Sequence, residues 1–411
     1  MEGSLLRCRV CGSSRLVKAL DLGMMPSANS LVLKEDLASV KSYPLVYYWC
    51  SECTFFQQLE LIGKEDLFGG SYAYATGTSR PTVEHFTKFA REIGNRVRKK
   101  DFAVVVASND GTELSALKES GGFGKVLGVE PAKNLAEEAN LKGLPTINSF
   151  FSERKALELL KELGPADLVV ANNVMAHIPD PKDFLMGMRR MAGEEGIISV
   201  EVHWLSSFIR QLQIDTLYGE HYYVWSVSAM RKIAESCGLV LIDVQFLEDR
   251  HGGSARFIMG RKGNEGASVA RMIAEENANG VGDVNVIRSL QGKAEKKRDS
   301  FAGLVKRLNS EGSEVSVWMV PAKIVTLLNF SGLTSNEIAC AYDNTPFKIG
   351  RYIPKAGIRI KDEAEIGKDM PDFLIVGAWN YIAFGKEKLA WYLEKGGRFI
   401  NPLTMEVVGS E

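Results

Sequence analysis

Four of the six cysteines form two Cys-x-x-Cys pairs near the N-terminus, Cys8 with Cys11 and Cys50 with Cys53. Four thiolates satisfy the tetrahedral coordination that Zn²⁺ prefers, and each short pair places two sulfurs on one side of a tight turn. Because zinc with four thiolate ligands keeps no open position, we expect a structural Zn²⁺ ion here and not a catalytic one. Redox-active or unrelated thiols are the alternative interpretation of this spacing.

A polar turn follows the apolar run Phe102–Ala107, which is rich in β-branched residues as a buried parallel strand should be. The turn consists of Ser108, Asn109, Asp110 and Gly111. Gly111 permits a close backbone approach to a ligand, and Asn109 or Asp110 can bind a cationic amine. An ordinary Asn-Asp-Gly turn without a ligand is the alternative.

Glu130 ends the next strand-forming run, where a carboxylate can accept hydrogen bonds from both hydroxyls of a ribose. The turn lacks the Gly-x-Gly-x-x-Gly pattern that binds the pyrophosphate of a dinucleotide. These features favour a cofactor without a pyrophosphate, such as S-adenosylmethionine (SAM). An acid that follows a strand without binding anything is the plain alternative.

Histidine is the side chain best suited to move a proton near neutral pH, and the chain has only five. His221 has Glu220 beside it and Tyr218 three positions earlier. His177 and His203 each follow a predicted strand, where a histidine can also simply cap a turn. Since an isolated histidine is more often a surface or core residue, the residues alone leave its role open.

The elements that must position these residues alternate between strand and helix. Apolar residues recur at three- and four-residue spacing from about residue 78, which predicts a helix. Strands are predicted over Phe102–Ala107, Lys125–Val129, Asp167–Ala171 and Gly196–Glu201. A doubly wound α/β sheet binds ligands at the carboxyl ends of its strands, where Asn172 and Asn173 also fall.

A second strand–helix pattern follows in the C-terminal part and predicts a smaller Rossmann-like domain. Its strands are predicted over Val315–Val320, Ile338–Tyr342, Asp372–Val376 and Arg398–Ile400, with a helix over Ala322–Phe330. The charged stretch before it predicts one or two surface helices that act as a connector. We therefore expect three parts: residues 1–75 as a zinc-binding head, 76–262 as a Rossmann-like class I domain, and 263–411 as connector plus C-terminal domain.

Composition restricts the partners of the chain. Its 411 residues are 45% hydrophobic and 25% charged, as in ordinary globular proteins. With 50 basic and 51 acidic residues the net charge is −1, so no overall field attracts nucleic acid or an acidic membrane. The N-terminus does not resemble a signal peptide, and no run of about 18 apolar residues is present. We expect a cytoplasmic protein that acts on a small molecule, with Cys237 and Cys340 as buried, inert thiols.

Together these motifs resemble the SAM-dependent sugar C-methyltransferase family, which methylates a ring carbon of nucleotide-linked 4-keto-deoxysugars. The resemblance covers nearly the whole chain. The cysteine pairs are similar to the family's zinc-binding head, and the turn at 108–111 is similar to its cofactor loop. Further matching segments are Tyr72–Ser79, Ala171–His177, Asp215–His221, His251–Ser254, Pro321–Lys323, Asp343 and Lys348–Pro354.

The resemblance implies the roles of individual residues. His221 would remove the proton from the carbon next to a ketone, with Tyr74, His177, Tyr218 and Glu220 lining the site. Such chemistry needs a base and a group that stabilises the enolate oxygen, for which a tyrosine hydroxyl is suitable. The residues implied to bind SAM are Ser108, Asn109, Asp110, Gly111, Glu130, Asn172 and Asn173. A nucleotide sugar is the implied partner, held in part by the C-terminal domain.

The chain departs from the family pattern where the family has glycines or a histidine. Val105 and Ala107 stand in place of Glu-x-Gly, Gly219 replaces a histidine, and Val317 and Met319 replace both glycines of a C-terminal loop. The methyl acceptor is therefore left open. The alternatives are SAM-dependent O- or N-methylation of another small metabolite, or a non-catalytic protein that keeps the fold. Nucleic-acid modification is disfavoured by the balanced charge.

Overall fold

A computed structural model describes residues 6–63, 75–250 and 252–409 of the chain. Three β-sheets, two of them mainly parallel and flanked by helices, organise these residues. The predicted α/β class is therefore confirmed. In the described ranges, the helices are all too short or too polar to cross a membrane.

The N-terminal sheet is antiparallel and is built around the two cysteine pairs. Its strands are β1 (Leu16–Pro26), β2 (Ser42–Cys50) and β3 (Phe56–Gln58). A 3₁₀ helix over Lys34–Ser39 lies between β1 and β2, and β2 pairs with both of its neighbours. Because Cys50 ends β2 and Cys53 lies in the turn before β3, the second cysteine pair forms the β2–β3 hairpin turn.

The central part alternates strands and helices as predicted. After a 3₁₀ turn at Thr76–Thr78 the helices are α1 (Arg80–Arg96), α2 (Thr112–Glu119), α3 (Lys133–Leu141), α4 (Glu153–Leu163), α5 (Pro181–Met191), α6 (Leu205–Gln211) and α7 (Val227–Ser236). The strands are β4 (Phe102–Val106), β5 (Lys125–Glu130), β6 (Thr146–Asn148), β7 (Ala166–Asn172), β8 (Ala192–His203), β9 (Tyr223–Val224), β10 (Val240–Leu247) and β11 (Ser254–Gly260).

Seven of these strands form one sheet in the order β10-β11-β8-β7-β4-β5-β6. The five from β4 to β8 run parallel, while β11 runs antiparallel to both β8 and β10. All five residues of β4 are buried, which explains its uninterrupted run of apolar side chains. The carboxyl ends of β4, β5, β7 and β8 therefore meet at one edge, as the sequence predicts.

Strand β9 lies in the central part of the sequence, but it pairs with the N-terminal sheet and forms its fourth strand. Phe56 pairs with Val224 and Gln57 with Tyr223, so β9 is the outer neighbour of β3. This two-residue strand begins just after His221. The backbone hydrogen bonds between β3 and this segment, the last of them from the Gln58 amide to the Tyr222 carbonyl, thus end one residue from the predicted base.

The C-terminal part forms a second, smaller Rossmann-like sheet, which confirms the prediction. Its strands are β12 (Val315–Trp318), β13 (Ala341–Asp343), β14 (Ile360–Asp362), β15 (Phe373–Val376), β16 (Arg398–Ile400) and β17 (Val407–Val408). They lie in the order β14-β13-β12-β15-β16-β17, and only β17 is antiparallel. Its described helices are α10 (Ala322–Ser331), α11 (Ile366–Asp369), α12 (Ile382–Lys388) and α13 (Ala390–Glu394), with 3₁₀ turns at Glu363–Glu365 and Trp379–Tyr381.

Two helices connect the Rossmann-like units, α8 (Ala267–Ala278) and α9 (Val284–Ser310). Two is within the predicted number, and both helices have many exposed residues. One face of α9 is buried against β1 and α10, since its apolar residues recur at helical spacing. The buried residues are Ile287, Leu290, Ala294, Phe301, Val305 and Leu308. The charged tract that suggested a surface helix lies mainly on the more exposed side of α9. It includes the buried Ala294, however, and Lys297, whose Nζ donates to the Gln211 and Leu212 carbonyls at 2.9 and 3.0 Å.

Candidate active site

The four cysteines of the two pairs converge in one cluster. Their ligand atoms all lie within 4.8 Å of one another, with 3.6 Å between the Sγ atoms of Cys8 and Cys53 and between those of Cys11 and Cys50. Tetrahedral Zn²⁺ with Zn–S bonds of about 2.3 Å requires sulfur–sulfur distances of about 3.8 Å. The cluster therefore fits zinc, and its four thiolates leave no position for a substrate.

The backbone of the predicted cofactor loop alternates into the left-handed region. Ala107, Asn109 and Gly111 have φ values of 53°, 52° and 83°. Asparagine and glycine tolerate this conformation, but for alanine it costs roughly 1 kcal/mol. Ala107 occupies the position of a family glycine, so the loop has kept the glycine-type backbone although the glycine itself is gone.

The side chains of Asn109 and Asp110 hold the segment that precedes α1. Asn109 Oδ1 accepts a hydrogen bond from the Thr76 amide at 2.9 Å, and Asp110 Oδ2 accepts one from the Gly77 amide at 2.8 Å. Burial acts to raise the pKa of Asp110, but hydrogen bonds from Thr112 and Thr76 hold it below its ordinary value. These two side chains thus place the segment at 75–79 over the cofactor loop.

Glu130 lies beside the same loop with both carboxylate oxygens turned toward backbone amides. Oε2 accepts from the Asn109 amide at 2.9 Å and Oε1 from the Ala132 amide at 2.8 Å. Burial raises the pKa of Glu130 above its ordinary value in spite of these bonds. Each oxygen keeps acceptor capacity for a hydroxyl, as ribose recognition requires.

A buried polar network lies at the carboxyl ends of β7 and β8. Asn172 donates to Glu113 Oε1 at 2.6 Å, and Asn173 donates its backbone N–H to the Glu201 carbonyl at 2.7 Å. Ser108 Oγ and Asn172 Oδ1 are buried and have no hydrogen-bond partner among the described residues. Such orphaned atoms at adjacent strand ends suit a polar cofactor such as SAM.

Two carboxyl groups of this network ionise very differently. Burial, reinforced by the charge of Glu201, raises the pKa of Glu113 to about 8. Burial also opposes ionisation of Glu201, but the hydrogen bond and charge of His85 and the charge of Arg256 lower its pKa to about 2. The distances from Glu201 Oε2 are 2.9 Å to His85 Nε2 and 2.9 Å to an Arg256 guanidinium nitrogen. No local pattern in the sequence indicated this network, because its members lie far apart in the chain.

His221 is held at both ring nitrogens. Nδ1 lies 2.8 Å from the Thr216 carbonyl oxygen, which can only accept, so Nδ1 carries the proton. Nε2 lies 2.6 Å from the Tyr218 hydroxyl, and the two rings stack with centroids 3.8 Å apart. In its neutral form the imidazole therefore presents a basic Nε2, which is paired with a phenol.

His177 and Glu220 lie against this pair. The ring centroids of His177 and His221 are 4.7 Å apart, and burial lowers the pKa of His177 to about 4. His177 is therefore neutral near pH 7 and does not repel a proton on its neighbour. Glu220 is buried, which raises its pKa, and it accepts a hydrogen bond from the Ser27 hydroxyl at 3.0 Å. Ser27 belongs to the N-terminal part and was not among the predicted site residues.

Other predicted candidates lie elsewhere or are not described. His203 is buried and its Nε2 lies 2.6 Å from Gln213 Oε1, in contact with a structural amide. Tyr72, Tyr74 and His251 lie outside the described residues. Strands β10 and β11 form an antiparallel pair, and Gly252 and Gly253 in their connection both have positive φ, which agrees with the hairpin alternative for that motif. Cys237 and Cys340 are buried thiols, as predicted.

The C-terminal loop after β12 keeps a backbone that glycine would favour. Met319 has φ 64°, at the position of the second family glycine. Asp343 ends β13, accepts a hydrogen bond from the Val320 amide at 2.8 Å and pairs with Lys348 Nζ at 2.9 Å. The loop thus has, without any glycine at this position, a left-handed backbone that glycine would favour.

Three family models match successive parts of the chain. They describe a zinc binding domain at residues 8–68, a methyltransferase domain at 106–244 and a C-methyltransferase C-terminal domain at 249–404. C-methyltransferase NovU of Streptomyces niveus is 31% identical over 402 residues, which cover 96% of this chain and 95% of that protein.

Two solved structures that are similar to this chain each align over less than half of it. A SAM-dependent methyltransferase from Archaeoglobus fulgidus has 16% identity and a TM-score of 0.36, and the alignment covers 47% of this chain and 96% of that one. Magnesium protoporphyrin IX methyltransferase from Synechocystis PCC 6803, solved with bound SAM, has 15% identity and a TM-score of 0.33, covering 44% of this chain and 79% of that one.

Proposed function

Because the chain belongs to the SAM-dependent C-methyltransferase family, we propose that it methylates a ring carbon next to the ketone of a nucleotide-linked keto-deoxysugar. The family, the methyltransferase activity, SAM as methyl donor and a zinc site of four cysteines agree with the predictions from the sequence. What remains a proposal is the acceptor, together with the residues that act on it.

The observation that carries the proposal is the Tyr218–His221 pair. The Thr216 carbonyl holds the proton on Nδ1, so Nε2 has the lone pair that can accept the proton of an acidic C–H group. When Nε2 takes that proton, the C–H electron pair forms a C=C bond and the π pair of the ketone moves to its oxygen, which gives an enolate. The Tyr218 hydroxyl, released from Nε2 at 2.6 Å, can then donate to that oxygen. SAM supplies an electrophilic methyl group for the enolate carbon.

The surroundings of the pair suit this proton transfer. His177 is uncharged near pH 7, because burial lowers its pKa to about 4, and so it does not oppose a positive charge on His221. Glu220 next to His221 has one carboxyl oxygen, Oε2, that is buried without a hydrogen-bond partner among the described residues. That oxygen is available to a sugar hydroxyl or to a cationic imidazole. Tyr74 is also kept as a proposed lining residue.

The cofactor assignment rests on the sheet edge described above. We propose that Glu130 binds the ribose of SAM and that the orphaned Asn172 Oδ1 and Ser108 Oγ bind its amino acid part. The backbone at Asn109 and Gly111 would contact the cofactor. Asp110 and Asn173 would support this edge of the sheet through hydrogen bonds to neighbouring segments. Asn109 and Asp110 side chains would bind the amine only if the segment at 75–79 moved.

The C-terminal sheet is proposed to hold the nucleotide. The left-handed backbone at Met319 and the buried Asp343–Lys348 pair support this, since they preserve the loop that lost its glycines. We also propose the division of the chain near residues 75 and 262; the end of the central sheet at Gly260 supports the second boundary.

Ligand-dependent melting tests the proposal. S-adenosylhomocysteine should raise the melting temperature, and thymidine diphosphate should raise it further and additively, because the two would bind different sheets. A shift with S-adenosylhomocysteine but none with any nucleoside diphosphate would reject the nucleotide-linked acceptor. O- or N-methylation of another metabolite would then become the better interpretation.

A further inference from the structure

Two buried side chains of the N-terminal sheet form hydrogen bonds to the backbone of the turn that carries His221. Gln58 Nε2 donates to the backbone carbonyl of His221 at 2.9 Å and to that of Tyr218 at 3.2 Å. The Tyr47 hydroxyl donates to the same His221 carbonyl, and it accepts from Gln58 Nε2 at 2.9 Å. Tyr47 and Gln58 are almost completely buried. Two side-chain donors therefore converge on a single peptide oxygen, that of His221.

The strand that carries Gln58 begins next to the zinc cluster. Strand β3 begins three residues after Cys53, and its last residue is Gln58, whose backbone N–H donates to the Tyr222 carbonyl at 2.8 Å. The first cysteine pair reaches the same strand, because the Arg9 amide donates to Gln57 Oε1 at 3.0 Å. Within the zinc head, the stretch from Cys8 to Gln58 thus ends on the backbone that flanks the base.

The position of this peptide controls the imidazole. The short turn from Thr216 to His221 is closed by the His221 amide, which donates to the Tyr218 carbonyl at 2.9 Å. The imidazole then reaches back to the Thr216 carbonyl at 2.8 Å and to the Tyr218 hydroxyl at 2.6 Å. Rotation of the His221 peptide would lengthen both side-chain bonds, and catalytic groups tolerate displacements of only about 0.5 Å.

We propose that Tyr47 and Gln58 are positioning residues that orient His221, so that the zinc head sets the geometry of the active site without touching the substrate. Neither residue acts on the reacting atoms through its side chain, since both side chains are bonded to backbone carbonyls. The proposal rests on the proposed role of His221 for its effect on turnover. Its structural part, the orientation of the imidazole, does not.

Three variants separate positioning from general stability. Tyr47→Phe removes only the hydroxyl, and Gln58→Met removes both amide hydrogens at similar length. Tyr392→Phe is the matched control, because the buried Tyr392 hydroxyl also donates to a backbone carbonyl, that of Pro371 at 2.9 Å, but in the C-terminal part of the chain. All three variants should lose comparable stability, measured as the free energy of unfolding.

The imidazole itself provides a readout that does not need turnover. In protein labelled with ¹⁵N-histidine, the signal missing from His221→Asn identifies His221, and its two nitrogen shifts report which nitrogen carries the proton. We expect a clear Nδ1–H form in the wild-type protein and in Tyr392→Phe. In Tyr47→Phe and Gln58→Met the shifts should move toward a mixture of the two tautomers.

Turnover should follow the imidazole. With a thymidine-diphosphate-linked 4-keto-6-deoxyhexose as acceptor, kcat should fall roughly tenfold or more in Tyr47→Phe and Gln58→Met, with KM for SAM unchanged. Unchanged His221 shifts in both variants would overturn the proposal. If the wild-type protein does not methylate this sugar, the acceptor proposed above is wrong, and the histidine shifts still decide the positioning role.

Discussion

Replacing His221 with Asn removes the proposed base while preserving much of its surroundings. The amide nitrogen of Asn lies close to the place of Nδ1, so the hydrogen bond to the Thr216 carbonyl, 2.8 Å in the wild-type protein, can be kept. What disappears is Nε2 and its 2.6 Å contact with Tyr218. The variant therefore tests proton removal more directly than a truncation to Ala, which would also free the turn.

The expected loss follows from the single function removed. A positioned general base contributes about 10²- to 10⁴-fold, so kcat should fall by that factor, which corresponds to about 3–5 kcal/mol of activation free energy. Tyr218→Phe should lower kcat by about 10²- to 10³-fold, because it removes the proposed donor to the enolate oxygen although Nε2 remains available. Binding of S-adenosylhomocysteine, measured by calorimetry, should stay within about twofold in both variants, since neither residue belongs to the cofactor edge.

Single-turnover formation of S-adenosylhomocysteine is the assay of choice, because product release does not affect it. His203→Asn is the control: this buried histidine ends β8 and contacts Gln213 at 2.6 Å, so it should retain activity within a few-fold. Turnover of His221→Asn within a few-fold of the wild-type rate would refute the assignment of the base. Equal losses in His203→Asn and His221→Asn would point to a general structural effect instead.

Three further predictions concern the scaffold. Removal of zinc with a chelator, or Cys50→Ser, should lower both the melting temperature and kcat while calorimetry still detects S-adenosylhomocysteine; an unchanged kcat in the metal-free protein would contradict the link to His221. Ala107→Gly should raise the free energy of unfolding in urea by roughly 1 kcal/mol, because φ is 53° there; a loss of stability would refute the strain. The pKa of Glu113 is about 8 in the folded protein, against an ordinary value of 4.5. At a pH between these two values the folded state holds a proton that the unfolded state has released. The stability that depends on this proton is therefore lost as the pH rises through 8. Glu113→Gln, which imitates the protonated group, should therefore be the more stable protein above pH 8, and parallel pH–stability curves would show that Glu113 ionises normally.

The positions of the central strands and the polar residues at their ends could be predicted from the sequence where chemistry and periodicity agree. Phe102–Val106 is an uninterrupted apolar strand because it is buried on both faces, and Glu130 and Asn172 end neighbouring strands because polar groups gather at that edge. The cysteine spacing likewise predicted the cluster that the fold assembles. These inferences depend on local patterns, which survive folding.

Contacts between distant segments could not be predicted in this way. Nothing in the two residues Tyr223–Val224 indicates that they complete the N-terminal sheet, since the strand exists only through its partner β3. The partners of Asn109 and Asp110 in the segment at 75–79 were equally hidden, although their residue types were recognised. Met319 has a left-handed backbone that residues with a side chain rarely adopt, because tertiary packing overrides this local preference.

The atom that receives the methyl group shows directly whether the protein methylates a ring carbon with His221 as the base. The protein should be incubated with SAM carrying a ¹³C-methyl group and a thymidine-diphosphate-linked 4-keto-6-deoxyhexose in D₂O, and the product examined by carbon NMR. We expect a labelled methyl carbon bonded to the ring carbon beside the ketone, with the hydrogen of that ring carbon lost. His221→Asn should give no such product. A label attached to oxygen or nitrogen, or methyl transfer that survives in His221→Asn, would contradict this expectation.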